Sequence, residues 1–278
     1  MIPIYIPSYN RAKTITTTKW LDKSKIDYKV LLHTNKCKEE YLKGGVVKEK
    51  DIIVTNAKRG ITNQRNWMVE NLAKKGEWYI SFDDNIRTFY RVVDDYYFTA
   101  KKYDVADKHV NKDIYSKEVS AKEYLELLSE DIIMADKIKA EYIGYATVDN
   151  YYFNSKKYKP VGYVISKAVA IKFNGLSYDV KLEAMEDFGY CASQLVKNNC
   201  VLINAWLKPK AGHYEKGGIG TYSERVDRKI IDCTYLMRKY PNLFRYKIKK
   251  GCHPKAELQF RFNNPKQISE WKKLYYKR

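Results

Sequence analysis

Trp78-Tyr79-Ile80-Ser81-Phe82-Asp83-Asp84-Asn85 reads as a short apolar strand that delivers two adjacent carboxylates and an amide to its carboxyl end. Working outward from it, the upstream chain repeats a pattern. Ile2–Ile6 is a strand candidate ending at the turn-rich Pro7-Ser8-Tyr9-Asn10-Arg11, and a Thr-rich helix candidate ends near Leu21. Tyr28–His33 and Ile52–Thr55 read as two more strands, with Lys43-Gly44-Gly45 a turn between them. Gly60-Ile61-Thr62 opens a helix whose apolar face carries Trp67, Met68 and Leu72, with Gly76 just past its end. This β-α-β-β-α-β alternation indicates an α/β fold with a mainly parallel sheet. In open α/β sheets ligands bind beyond the carboxyl ends of the strands, which is where Asp83, Asp84 and Asn85 fall.

Downstream, Ser120-Ala121-Lys122-Glu123 matches a capping box, and Tyr124, Leu127, Leu128 and Ile132 continue that helix at three- and four-residue spacing. Tyr142–Val148 and Gly162–Phe173 read as strands flanking an exposed polar loop with Tyr151, Tyr152, Lys156, Lys157 and Tyr158. Glu183–Asn198 reads as a helix, Val201–Leu207 as the strand after it, and Asp227–Tyr240 as a further helix.

Composition narrows the function classes. The 278 residues are 45% hydrophobic, enough to bury a core and too many for a disordered chain. No apolar run approaches the ~20 residues of a membrane span, and the N-terminus lacks the features of a signal peptide. Five widely spaced cysteines argue against a disulfide framework and a CxxC zinc site, so the expected compartment is the cytoplasm. The net charge of +19 points to a polyanionic partner, most often nucleic acid. Residues 238–278 hold thirteen Lys or Arg against two acids, Glu257 and Glu270, interleaved with Tyr240, Phe244, Tyr246, Phe260, Phe262, Trp271, Tyr275 and Tyr276. Cations neutralise phosphates and aromatic faces stack on unpaired bases. The plainer reading of this tail is solubility.

Five segments carry candidate chemistry. Carboxylates at Asp83 and Asp84 can hold Mg²⁺ or Mn²⁺, although an isolated Asp-Asp pair is more often a solvated turn. Pro7-Ser8-Tyr9-Asn10-Arg11 offers backbone N–H groups and small polar side chains to a base or a phosphate, and is also ordinary turn chemistry. Lys58-Arg59-Gly60-Ile61-Thr62-Asn63-Gln64-Arg65-Asn66 places cations around a helix N-terminus, which attracts anions. In Glu183-Ala184-Met185-Glu186-Asp187-Phe188 a carboxylate can take a proton from an acceptor hydroxyl, or simply complement the helix dipole. His213, in a Gly-rich loop after a strand, can complete a metal shell or touch a phosphate. No P-loop, Gly-x-Gly-x-x-Gly fingerprint or Ser nucleophile elbow is present, which argues against a P-loop NTPase, a Rossmann oxidoreductase and a serine hydrolase.

Together, Ile4-Tyr5-Ile6-Pro7-Ser8-Tyr9-Asn10-Arg11, Gly60-Ile61 with Arg65-Asn66, Ser81-Phe82-Asp83-Asp84-Asn85-Ile86 and Glu186-Asp187 resemble the GT-A nucleotide-sugar glycosyltransferases. More narrowly, the chain resembles the TET-associated glycosyltransferases of phages and related genomes, thought to put sugars on hydroxymethylated pyrimidines in DNA. The resemblance implies a GT-A-like catalytic domain over 1–225, with 226–278 a basic, aromatic-rich extension packed on it. It implies a nucleoside-diphosphate sugar donor, UDP-linked, with Mn²⁺ or Mg²⁺, and modified DNA such as 5-hydroxymethylcytosine DNA as partner, in the host cytoplasm if the gene is a phage's. Pro7, Ser8, Tyr9, Asn10, Arg11 and Gly60 would line the nucleotide pocket, with Arg65 and Asn66 near the base or diphosphate and Asp83 on the ribose or metal side. Asp84, Asn85 and His213 would complete the metal site. Asn85 departs from the family pattern, in which that position is often a metal-binding Asp. Asp187 would be the general base of an inverting displacement, with Glu186 the fallback. Two other readings stand beside this one: a GT-A enzyme acting on a glycan or protein, and a non-catalytic nucleic-acid-binding protein, which explains +19 but neither acidic pair.

Overall fold

The computed structural model describes residues 2–92, 116–146, 156–212, 222–241, 243–247 and 257–260. Its centre is an eight-stranded mixed sheet of β1 (Ile4–Pro7), β2 (Lys29–Leu32), β3 (Ile52–Val54), β4 (Trp78–Phe82), β7 (Tyr142–Tyr145), β8 (Tyr158–Lys159), β9 (Ala168–Lys172) and β10 (Leu202–Asn204). The order is β3-β2-β1-β4-β9-β7-β10-β8. Strands β1 to β4 are parallel, with Tyr5 opposite Lys29 and Ile4 opposite Ile80. β9 runs antiparallel between β4 and β7, β10 is parallel to β7, and β8 closes the edge antiparallel.

The strands are apolar on both faces because both are covered. Ile4, Ile6, Val30, Leu32, Ile80, Phe82, Ile143, Ala168, Ala170 and Leu202 belong to one buried cluster. The residues alternating with them, Tyr5, Leu31, Tyr79, Tyr142, Val169, Ile171 and Ile203, belong to the other. The first cluster is completed by α1 (Thr17–Lys23), α2 (Asn35–Gly44) and α4 (Ala121–Ile138), through Trp20, Leu21, Tyr41, Tyr124 and Leu128. The second is completed by α3 (Ile61–Asn71), α5 (Glu186–Asn198) and α6 (Tyr222–Lys239), through Met68, Val69, Tyr190, Leu195, Cys233 and Leu236.

The expected α/β architecture with a large mixed sheet flanked by helices is present, and the local readings differ in instructive ways. α2 begins at Thr34, whose hydroxyl accepts from Cys37 N, and ends at Gly45 in the left-handed region at φ 68°. Its sequence is too polar to announce a buried face, yet Tyr41 is 1% exposed. Ser120 caps α4 at Glu123 N, while the Glu123 carboxylate lies 3.1 Å from Arg91 Nε. Val201–Leu207 is two strands, not one, because Asn204 Oδ1 accepts from Trp206 N and turns the chain. The second, β11 (Leu207–Ala211), joins β5 (Ile86–Val92) and β6 (Ser116–Val119) in a separate antiparallel sheet. Tyr158, expected on an exposed loop, is buried at the sheet edge, and Tyr151 and Tyr152 lie outside the described residues. Beyond α6, β12 (Phe244–Lys247) pairs with β13 (Glu257–Phe260), and most of the basic tail lies outside the described residues. Cys37, Cys191, Cys200 and Cys233 are free thiols. Among the described residues no helix is long and apolar enough to cross a membrane.

Candidate functional site

The carboxyl ends of β1 and β4 lie side by side, and the turns leaving them meet. Ser8 Oγ donates to Asp84 Oδ2 at 2.6 Å and is 2.6 Å from Tyr41 Oη. Arg11 Nε pairs with Asp84 Oδ1 at 3.1 Å, and its backbone N–H donates to Tyr41 Oη. Asn10 makes this turn possible by taking φ 55°, a region asparagine tolerates better than most residues. Tyr9 meets His33, at the end of β2, edge to face at 5.6 Å, and the exposed Arg59 guanidinium lies 4.8 Å from the Tyr9 ring.

Arg65 is the hub. It projects from the second turn of α3 and is 2% exposed. Its Nη1 donates to Glu186 Oε1 at 2.9 Å, and its Nη2 to Asp83 Oδ1 at 3.2 Å and the Ser166 carbonyl at 2.9 Å. The Tyr178 ring lies 5.3 Å from its guanidinium. Burying an ion costs several kcal/mol, and here two carboxylates and a carbonyl offset it at Nη1 and Nη2, while the buried Nε has no hydrogen-bond partner among the described residues. Two acids and a cation from three distant segments therefore share one site.

The acid pair on α5 is positioned from behind. Asp232 Oδ2 of α6 accepts from the backbone N–H groups of Glu183, Ala184 and Met185 at 3.1, 2.8 and 2.9 Å. Its carboxylate fixes the turn that feeds Glu186 and Asp187 into the site. Tyr163 Oη donates to Asp187 Oδ2, and Asp187 Oδ1 accepts from Phe188 N at 2.8 Å.

These surroundings tune the acids. Burial pushes Asp84 up to about 6, opposed by the Ser8 hydroxyl and Arg11. Burial also raises Asp83, against Arg65 and Lys167. Glu186 is raised by burial and by the neighbouring Asp187, and Asp187 by burial against the Tyr163 hydrogen bond. Burial lowers Lys167, while Asp83 and Asp187 favour its charge.

Pro7, Ser8, Tyr9, Arg11, Arg65, Asp83, Asp84, Glu186 and Asp187 thus fall near the carboxyl ends of β1 and β4. Gly60 is the exposed N-cap of α3. Asn66 Nδ2 donates to the Tyr178 carbonyl at 2.8 Å and its Oδ1 accepts from Tyr178 N at 2.7 Å, which ties α3 to the segment before α5. Asn85 Nδ2 donates to the Gly212 carbonyl at 2.8 Å, which ties β4 to the end of β11. Its Oδ1 is buried with no hydrogen-bond partner among the described residues. His213 follows Gly212 directly and lies outside the described residues. Among the described residues no three His, Cys, Asp or Glu groups converge to hold a metal ion. Asp84 has one oxygen on Ser8 and the other on Arg11.

Sequence reasoning missed Tyr41, Tyr163, Ser166, Lys167 and Asp232. The segment 162–167 was expected to be strand, and it is instead irregular chain crossing the site. Gly162 was the available signal, since glycine inside an apparent strand marks a close approach. A Cβ there would stand 2.5 Å from Ile203 Cδ1.

Comparisons with protein-family models, curated proteins and solved structures gave no match.

Proposed function

We propose that the chain is a glycosyltransferase that moves a sugar from a nucleoside-diphosphate donor to the hydroxyl of a hydroxymethylated pyrimidine in DNA. The observation that carries this reading is the junction at Arg65, which links Asp83 beyond β4 to Glu186 on α5 at the carboxyl edge of the parallel strands. The segments that gave the GT-A resemblance meet there, and sheets of this kind bind ligands at that edge.

The residues divide the work as follows. The turn Ser8–Arg11, with Tyr9 beside His33, receives the nucleotide. Arg11, Arg65 and Lys167 supply positive charge toward the diphosphate, where donors preorganised in a water-poor site stabilise the developing charge. Asp187 takes the proton of the acceptor hydroxyl as its oxygen bonds to the anomeric carbon. The bond from that carbon to the donor phosphate oxygen breaks, and its electron pair leaves with the nucleoside diphosphate. One displacement inverts the anomeric centre. The charge of +19 suits a DNA acceptor, whose target base flips out of the stack.

The test is donor turnover. With a panel of sugar nucleotides, release of nucleoside diphosphate is expected to rise on addition of hydroxymethylpyrimidine DNA. Release stimulated only by a glycan or protein would move the acceptor class, and no release from any donor would overturn the reading.

A further inference from the structure

Asp187 is held at both oxygens, and only one of the two partners is a side chain. Phe188 N donates to Oδ1 at 2.8 Å, and the Tyr163 hydroxyl donates to Oδ2. The Tyr163 ring stacks on Phe188 at 3.8 Å with an interplanar angle of 24°, so the residue after Asp187 also fixes the ring that reaches back to it. Downstream of Tyr163, Ser166 O takes Arg65 and Lys167 O takes Asp83 N at 2.7 Å. The segment is anchored at three points of the same site.

Resting on the reading of Asp187 as general base, we propose that Tyr163 is the positioning residue of that base. Its hydroxyl and the Phe188 N–H fix the plane of the carboxylate. Each carboxylate oxygen accepts more than one hydrogen bond, so lone pairs remain for the acceptor's proton. The same hydrogen bond favours the ionised form that a base needs, against burial and the nearby Asp83. The other groups around Asp187 are Arg65 from α3, Asp83 beyond β4, Lys167 before β9, and Tyr178 and Cys191.

The test variant is Tyr163→Phe, which keeps the ring and its stack, with Asp187→Asn beside it and circular dichroism to check folding. In the full chain, the ascending limb of the pH–rate profile is expected to move up by about one pH unit, with the rate recovering on the alkaline side. An activity-independent readout is ¹³C NMR titration of the carboxylates, with D187N identifying the Asp187 signal. That signal should titrate at higher pH in Y163F. An unmoved Asp187 titration would overturn the role of Tyr163 whether or not transfer is seen. Wild-type transfer in D187N would instead remove Asp187 as base, and the reading built on it, leaving donor turnover to test the enzyme class.

Discussion

Arg65 and Glu186 lie 121 residues apart in sequence and 2.9 Å apart in space, buried together where α3 and α5 approach the carboxyl edge of the sheet. Their pair fixes α3 against the start of α5 and, on the proposed reading, the donor side of the site against the acids that act on the acceptor. Removing one partner of a buried pair leaves the other unpaired, which costs about 3–5 kcal/mol. Arg65→Ala is expected to lose that much stability in urea titration. Arg65→Lys should restore part of the stability and little of the transfer, since an ammonium cannot span Glu186, Asp83 and Ser166 with a planar fork.

Asp232 holds the turn before α5 from behind, through the N–H groups of Glu183, Ala184 and Met185. Asp232→Ala strands three N–H donors at the start of α5, and a buried unsatisfied donor costs about 1–3 kcal/mol. The variant should melt at lower temperature and transfer more slowly. Asp232→Asn, which keeps an acceptor oxygen, should fall between the two in both measurements.

On the proposed reading Arg11, Arg65 and Lys167 supply the positive charge at the diphosphate, and Arg11 Nε lies 3.1 Å from Asp84 Oδ1. Chelation with EDTA should therefore change the transfer rate by less than about twofold. Arg11→Ala should cost roughly 10²-fold, the scale of one lost electrostatic donor.

A pH effect on stability comes from Asp131, fully buried on α4, where Asn204 Nδ2 donates to it at 2.9 and 3.1 Å. Burial raises it to about 7 from an ordinary 3.8, opposed by the Tyr158 and Asn204 hydrogen bonds. The folded chain holds this proton more tightly than the unfolded one. Its contribution, on the order of a few kcal/mol, is therefore complete below about pH 4 and is lost as pH rises through about 7. The melting temperature of wild type relative to Asp131→Asn should fall between pH 5 and pH 8.

The sequence was legible where local chemistry and fold agree. The strands at Ile4, Lys29, Ile52 and Trp78 are apolar runs bounded by turn residues, and Ser120 marks the start of α4 by its own hydroxyl. The acidic pairs were legible as types at positions, since Asp83 and Asp84 end a strand and Glu186 begins a helix. What could not be read was which polar groups satisfy one another across the fold. Asn66 was read beside Arg65 as a ligand contact, and its bonds to the Tyr178 backbone are visible only in the tertiary structure. The segment 162–167 is apolar enough to pass for strand, yet its carbonyls serve Arg65 and the Asp83 backbone instead of a ladder. α2 was hidden because a single buried tyrosine, Tyr41, attaches it.

The most direct test of the account is mass spectrometry of nucleosides from hydroxymethylpyrimidine DNA, incubated with sugar nucleotides and either the wild-type chain or Asp187→Asn. The account predicts a hexose- or pentose-sized mass gain on the modified base with wild type, and none with the folded variant. A mass gain of equal yield from both would contradict it, because the acid placed beside Arg65 and Tyr163 would then not be the base.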